Sequence, residues 1–511
     1  MMTRKRVAIV GSGCAGLGAL WALKNSNYEV HLFEADERLG GHTNTVTFRN
    51  GENECQVDTG FIVYNMATYP NLIRFLSHEN VDSAPTAMTF GVSRDNGLFE
   101  WAGTSLGAVF AQRRNLWNPA MWRMIYDIVR FNQCALDLLH FEQESENNPV
   151  GANGISKSVH KPSSQQTMGE YLDQEGYSQS FRDNYLVPMT AAVWSTTPDK
   201  CSLHFPIMTL VRFMWNHHLL STVATRPDWM TVCGGSQKYV DAILQNFPKE
   251  NIHVNKPVTG VEDINGKIIV QFEEDEELFD HVILACHGDQ ALRIIEDGAT
   301  QEERNILEAF TVSENRAILH SDLNFMPKSE RAWSAWNLLF KSTKTSSNGD
   351  QVCLTYNMNI LQHISRETMG HVLVTLNPQA DVDPHKIQGQ WTYYHPLYTP
   401  EAINAQKQLH RIQNTRNISY AGAWTKYGFH EDGFSSGLKV AIDHLGAELP
   451  FDFVDSTFSR GRRPQFGYKD LLVRAILWQV GWLIWWVELF CGICGWPLGY
   501  AASFPRRTKV E

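Results

Sequence analysis

Residues 7 to 34 read VAIVGSGCAGLGALWALKNSNYEVHLFE, and no other stretch constrains the fold as much. An apolar strand runs into Gly11-x-Gly13-x-x-Gly16. A helical pattern follows through Leu17, Leu20 and Leu23, and a second strand ends on Glu34. Each part has a physical task. Gly11 permits the tight turn, Gly13 lets a pyrophosphate approach the backbone, and Gly16 lets helix and strand pack closely. The helix N-terminus offers N–H groups and a partial positive charge to phosphates. Glu34, about twenty residues on, is placed to accept hydrogen bonds from a ribose. A plain strand–helix–strand turn would have no use for Glu34, so the unit predicts dinucleotide binding.

The 511 residues are too many for one simple core and predict two or three domains. Hydrophobic residues at 43% and charged residues at 19% are ordinary globular composition. A net charge of −11 argues against a nucleic-acid partner, which would call for a basic face. Seven of the nine cysteines are isolated along the chain, as expected of reduced thiols. The one close pair, Cys491 and Cys494, has no second pair to complete a zinc site. The N-terminal MMTRKR runs straight into the first strand, leaving no room for a signal or transit peptide. The folded part is expected to face the cytosol.

After Glu34 comes ADERLGGHTNT, in which Arg38, Gly40 and Gly41 complete an E-x-x-x-R-x-G-G run. Then comes VDTGFIVYN, Val57 to Asn65. With these two blocks the chain resembles the flavin-containing amine oxidase superfamily, which also holds phytoene desaturases and protoporphyrinogen oxidases. The resemblance implies an α/β fold: an FAD-binding, Rossmann-type (GR2-like) domain interleaved with an α+β substrate domain, followed by a C-terminal apolar helical tail. It implies cofactor contacts from Gly11, Ser12, Gly13, Cys14, Ala15, Gly16, Glu34, Ala35, Arg38, Gly40, Gly41, His42 and Thr43. Thr59, Gly60, Val258, Gly422, Gly433 and Phe434 would complete the set, Val258 through its backbone at the adenine end. Some relatives tether FAD through a cysteine in the C-terminal flavin segment. No cysteine lies between Cys353 and Cys491, so FAD is expected to be held non-covalently. Relatives also carry an acidic residue where this chain has Ala423, so one polar contact to the cofactor is missing or supplied elsewhere.

The predicted FAD domain is discontinuous, at 1–85, 225–305 and 410–450. The strand pattern DHVILAC and the closing segment ISYAGA…SSGLKVAIDHLG form its returns, the last helix starting near Ser435-Ser436-Gly437. Residues 86–224, read as mostly helical, and 306–409 form the predicted substrate domain. Trp117, Met121, Met124, Ile125 and Ile128 recur at helical spacing and read as core. Polar stretches at 144–166 and 343–351 read as loops. PMTAAVWS, FMWNHHLL, DWMTVCGGSQKYV, AWSAWN, TYNMNILQ, VTLNP and GFHEDG together resemble one branch, the flavoproteins associated with cyclopropane fatty-acid synthases.

Three ionisable residues stand side by side in GFHEDG: His430, Glu431 and Asp432. They are the catalytic candidates, placed on the turn before the last helix and near the flavin ring. The competing reading is a turn held by its own carboxylates. His217 and His218 are adjacent and cannot both face one metal, so no metal site is expected there. No H-E-x-x-H occurs.

The tail, 451–511, carries AILWQVGWLIWWVELFCGICGWPLGYAASF, in which Glu488 is the only charge. Arg460, Arg462, Arg463, Lys469 and Arg474 precede this run; Arg506, Arg507 and Lys509 follow it. Length and interfacial tryptophans predict membrane association with the flavin domain on the cytosolic side. Gln479 and Glu488 fall on opposite sides of a helix, which favours insertion over a flat amphipathic helix, and Pro497 favours a bent end. The resulting expectation is a membrane-associated, FAD-dependent oxidoreductase taking hydride from a lipid, fatty-acyl or other apolar small molecule. One alternative is a flavin amine oxidase on small amines, which needs an aromatic cage. A second is a non-catalytic lipid carrier of the GDP-dissociation-inhibitor type, which would not need the phosphate cradle.

Overall fold

The computed structural model describes residues 4–139, 166–194, 205–220, 226–341, 353–458, 460–461 and 464–494. The loops expected at 144–166 and 343–351 lie outside these, apart from Gln166, as do Arg462, Arg463, Pro497 and the basic residues after it. The chain divides into two compact units: 1–88, 228–323 and 356–456 form the first; 89–227, 324–355 and 457–511 form the second.

The first unit is built on the predicted βαβ start. Strand β1 (Arg6–Val10), helix α1 (Cys14–Leu23) and strand β2 (Glu29–Phe33) follow in order. A hairpin of β3 (Thr45–Asn50) and β4 (Asn53–Asp58) comes next, then helix α2 (Pro70–His78). The chain returns as β5 (Ile252–His253), β6 (His281–Leu284), β7 (Ile418–Tyr420) and helix α3 (His430–Leu445). The sheet order is β5-β2-β1-β6-β7, and every pairing is parallel. Val7, Ile9, Leu32 and Ile283 are buried on one face and Ala8, Phe33, Val282 and Leu284 on the other. Burial on both faces is why these strands read as unbroken apolar runs. The first unit also holds the antiparallel strands Val312–His320, Leu373–Leu376 and Ile387–Pro396.

The second unit opens with strands, Phe90–Arg94 and Phe99–Ala102, within the 86–224 stretch that reads as mostly helical. Asp95, Asn96 and Gly97 all take left-handed backbone in the turn between them, so a D-N-G turn signal stood in the sequence. The helix Pro119–Cys134 follows, capped by the Asn118 side chain, which accepts from the Ala120 N–H. Met121 and Met124 are buried as expected, but Trp117 is 89% exposed. It precedes Pro119, which fixes the first helical turn, so it never joins the helix face its spacing suggested.

The last described element is α4 (Tyr468–Cys494), 27 residues long. It is long and apolar enough to cross a membrane. Its Leu477, Val480 and Ile484 line one groove with Trp122, Ile125, Tyr126 and Val129 of the Pro119–Cys134 helix. Glu488, the one charge of the apolar run, is buried. Its carboxylate pairs with Arg123 Nη1 at 2.5 Å. The same guanidinium donates to Asp127 Oδ2 at 3.0 Å and to the Gly176 carbonyl at 2.9 Å. Of the basic cluster ahead of the tail, Arg474 pairs with Asp137 and Arg460 lies over the Trp215 ring.

Candidate cofactor site

The glycine cradle forms between β1, α1 and β6. Gly11 has φ +99°, and a Cβ there would lie 2.9 Å from the Ala285 carbonyl oxygen. A Cβ on Gly16 would sit 1.9 Å from the Gly11 oxygen. At Gly13, the N-cap of α1, a Cβ would meet nothing within 4 Å. The glycines at 11 and 16 are therefore demanded by packing, while Gly13 faces open space beside a helix N-terminus. That combination fits a phosphate-bearing dinucleotide.

Glu34 closes the cradle. Its Oε2 accepts from the Ser12 N–H at 2.9 Å and from the Ser12 hydroxyl at 2.5 Å, and its Oε1 accepts from the Asp36 N–H at 3.0 Å. Ala35 follows it in the chain. The Gly40 N–H donates to the Ser12 carbonyl, which ties the second glycine block to the first. A Cβ on Gly41 would come 3.0 Å from Gly13 Cα. Arg38 is turned inward on its own loop, donating to the carbonyls of Leu39, Gly41 and Thr43 at 2.6 to 3.0 Å. It shapes the wall through the backbone. Val258 is half-buried against the core beside β6, in the segment after β5.

Helices α1 and α3 cross through small residues. A Cβ on Gly437 would lie 1.9 Å from the Ala15 oxygen, and one on Gly433 would lie 2.3 Å from Cys14 Sγ. Phe434 is buried beneath them, and the Gly422 N–H donates to the Ser436 hydroxyl at 2.8 Å. This close approach brings the start of α3 against the start of α1.

The triplet is helical where a turn was expected. It forms the first turn of α3, which starts at His430, not near Ser435. The acid at the third helical position explains the early start: Asp432 accepts from the Phe429 N–H at 3.0 Å, the N-terminal half of a capping box. Glu431 points to the start of α2. It accepts from the Asn71 and Leu72 N–H groups at 3.1 and 3.0 Å, the Asn71 amide at 2.7 Å and the Ser435 hydroxyl at 2.6 Å. It thereby caps α2. Burial pushes Glu431 up to about 7 and Asp432 up to about 6.

His430 alone turns toward other functional side chains. Its ring stacks on Phe61 with centroids 3.6 Å apart, and its Nε2 lies 2.6 Å from the Tyr239 hydroxyl. Tyr239 in turn meets the Thr43 hydroxyl at 2.5 Å. Close by, His42 lies 5.1 Å from His395 and 6.3 Å from His287, ring to ring, with Tyr393 edge-on at 5.0 Å. The Tyr393 hydroxyl is held by Thr59 at 2.6 Å and by Asn44 at 3.0 Å. Gly60 has no room for a side chain, since a Cβ would lie 2.2 Å from the His42 oxygen. Burial lowers all four imidazoles below their usual range, His430 to about 3 and His395 to about 4, so the cluster is uncharged near neutrality. Phe61, Tyr239, His287, Tyr393 and His395 were not singled out from the sequence. Tyr239 stood in the quoted GGSQKYV block, but nothing local pointed to His287 or His395.

The parallel sheet, the glycine cradle and the interleaved returns define a dinucleotide-binding flavoprotein fold. The chain belongs to the family of flavin containing amine oxidoreductases, whose model matches residues 14–382, and so to a family of FAD-dependent enzymes. A curated relative, an L-amino-acid oxidase of Pseudechis australis, is 45% identical over 56 residues, 11% of this chain and 10% of the relative. The chain thus matches about a tenth of the length of the curated relatives. Among solved structures, wild-type putrescine oxidase bound to putrescine superposes with TM-score 0.57 at 14% identity, over 87% of this chain and 99% of that one. The CLA-producing fatty acid isomerase from P. acnes superposes with TM-score 0.55 at 14% identity, over 86% and 99%. These structures share the α/β FAD-binding fold with its substrate domain; this chain also carries the apolar C-terminal helix α4. Membership of an enzyme family leaves the non-catalytic carrier reading without support.

Proposed function

We propose that the protein is an FAD-dependent oxidase of an amine-bearing substrate. One observation carries the reading: the uncharged ring cluster of Phe61, His42, His287, Tyr393, His395 and His430 beside the cradle. It would serve as the aromatic surround that an amine oxidase needs, and it carries no cation to repel an amine. The amine and amino-acid oxidases among the similar proteins support the same choice over the lipid substrate expected from the sequence.

FAD would be held non-covalently. Gly11, Ser12, Gly13, Cys14, Ala15 and Gly16 would take the pyrophosphate at the α1 N-terminus, and Glu34 with Ala35 the ribose. Gly40, Gly41, His42 and Thr43, their loop shaped by Arg38, would form the wall, with Thr59, Gly60, Gly422, Gly433 and Phe434 toward the ring and Val258 at the adenine. When bound, FAD supplies the acceptor for a hydride and its two electrons. The chain's own part is to orient the substrate C–H bond, exclude water and keep the amine unprotonated. His430, hydrogen-bonded through Tyr239 to Thr43, is the group placed to hold or pass a proton. Glu431 and Asp432 hold helices and are positioning residues.

The test uses FAD-loaded protein kept anaerobic and offered, in turn, small amines, amino acids and lipid extracts. Bleaching by an amine, with amine-dependent peroxide release in air, is the expected result. Bleaching by lipid extract alone would replace this reading with a second one. That reading, oxidation or desaturation of a fatty-acyl substrate, rests on the resemblance to cyclopropane-synthase partners and on the apolar helix α4. In either case α4 supports attachment to a membrane, with the flavin unit on the cytosolic side.

A further inference from the structure

We propose that α4 is an in-plane anchor: it lies along a bilayer with one apolar stripe immersed, and does not cross it. This rests on the membrane reading above and specifies its mode. The argument starts from the polar side of the helix. Leu477, Val480, Ile484 and Glu488 recur at helical spacing and face the Pro119–Cys134 helix. Glu488 is fixed there by Arg123, whose guanidinium is also bound to Asp127 and the Gly176 carbonyl. Asp127 further accepts from the Ser178 N–H at 2.9 Å. All three charged side chains are buried. A spanning helix would carry this network, and the backbone it binds, into hydrocarbon or would break it, leaving charges unpaired at membrane depth.

The side of the helix turned about 120° from this packed face is free for lipid. Leu472, Ile476, Leu483, Trp486 and Phe490 are each more than half exposed and form one stripe that also holds exposed Gln479, with exposed Leu471, Trp478, Val487 and Ile493 on its flanks. Leu472 and Phe490 are eighteen residues apart, five full turns, so the stripe runs straight for about 27 Å. An amphipathic interfacial helix needs a polar face of its own. Here the second unit covers that face, which is why the sequence shows none.

The charges nearby favour a lipid surface over a protein partner. Arg113 and Arg114 are exposed just ahead of the helix that α4 packs on, beside exposed Leu116 and Trp117. Neither arginine forms an ion pair among the described residues. Lys469 is exposed at the start of α4. Arginine and lysine with tryptophan at an apolar margin match a headgroup region bearing anionic phosphates.

The test uses the full-length, FAD-loaded protein with phosphatidylcholine vesicles holding a minority of anionic lipid. A nitroxide is placed, one position at a time, at 472, 483 and 490 through a bio-orthogonal amino acid, and its depth is read by paramagnetic accessibility. These side chains are each more than 60% exposed, so labelling leaves the fold intact. The expected result is one common depth, within about one helical turn, 5 Å. A deep 483 with shallow 472 and 490 is the signature of a spanning helix and overturns the proposal while leaving membrane attachment standing. No vesicle binding at all overturns both. Binding should also fall about tenfold or more in the Leu483→Ser/Trp486→Ser variant, with circular dichroism and the flavin absorbance unchanged. A concentration-dependent dimer through the stripe, in place of vesicle binding, would mark it as a protein interface and overturn the proposal.

Discussion

Two helix N-termini in the first unit are treated in opposite ways. Helix α2 begins at Pro70, and its next two N–H groups are taken by Glu431 from 360 residues away in the chain. Helix α1 begins at Gly13 with no side-chain cap and no acid in its first turn, and open space lies beside it. Both ends carry the same partial positive charge. One is filled by the protein's own carboxylate and is structure. The other is bare, and a carboxylate from the chain there would compete with a phosphate. The difference separates a residue that looks catalytic, Glu431, from a place that binds.

The largest expected effect comes from emptying the filled end. Glu431→Ala leaves the Asn71 and Leu72 N–H groups and the Ser435 hydroxyl without their buried acceptor, while the Asn71 amide keeps the Val454 carbonyl. Each orphaned donor costs about 1 to 3 kcal/mol, and partial relaxation brings the total to about 3 kcal/mol. Urea denaturation checks this, and a loss under about 1 kcal/mol would mean that Glu431 does not hold α2.

The same carboxyl gives a pH signature. In the unfolded chain it binds its proton near pH 4.5, and in the folded chain near 7. Between these values the folded state holds more protons, so the contribution is full below 4.5 and is lost as the pH rises to about 7. The loss is at most about 3 kcal/mol across the window. His430 slopes the other way, since it takes a proton near 6.5 unfolded and near 3 folded and so weakens the fold as the pH falls. The difference between wild type and Glu431→Gln, melted at intervals across the window, isolates the carboxyl. A flat difference would show that the four donors hold it ionised throughout.

The bare end yields a smaller effect of another kind. Gly13→Ala meets no atom within 4 Å and has ordinary extended backbone, so the cofactor-free protein should melt as before. FAD affinity should drop about tenfold, about 1.4 kcal/mol, because the methyl occupies phosphate space. Flavin fluorescence titration measures it. Equal affinity would move the pyrophosphate away from this helix.

What the sequence revealed follows from how local each signal was. The order of β1, α1 and β2, the glycine spacing and Glu34 all act within 28 residues, and each has a task visible in isolation. The buried parallel strands were readable because both faces are covered. Glu431 was not, because its partner Asn71 lies far off and the contact exists only once α3 has crossed α1. His287 and His395 sit after β6 and at the end of an antiparallel strand, and only the tertiary fold sets them near His42. Glu488 looked like a charge exposed to lipid because Arg123, its partner, is 365 residues away. Trp117 and the start of α3 were missed for a different reason. Pro119 and Asp432 gave local signals, but the apolar spacing and the glycines of GFHEDG outweighed them.

The smallest effect sharpens the comparison between neighbours. Asp432 sits one residue from Glu431, yet it serves the start of its own helix: it accepts from the Phe429 N–H, with the Tyr427 backbone and the Lys426 charge just ahead of the helix also favouring its carboxylate. Asp432→Asn keeps an acceptor for that N–H and removes the negative charge facing the helix dipole. The expected change is small, under about 1 kcal/mol, because burial already disfavours the charge and offsets what the helix N-terminus supplies. Flavin reduction by substrate should be unchanged once FAD is saturating, since the side chain faces the Phe429 backbone and not the ring cluster. A drop in the reduction rate at full FAD occupancy, with the melting temperature held, would return Asp432 to the list of residues that touch substrate.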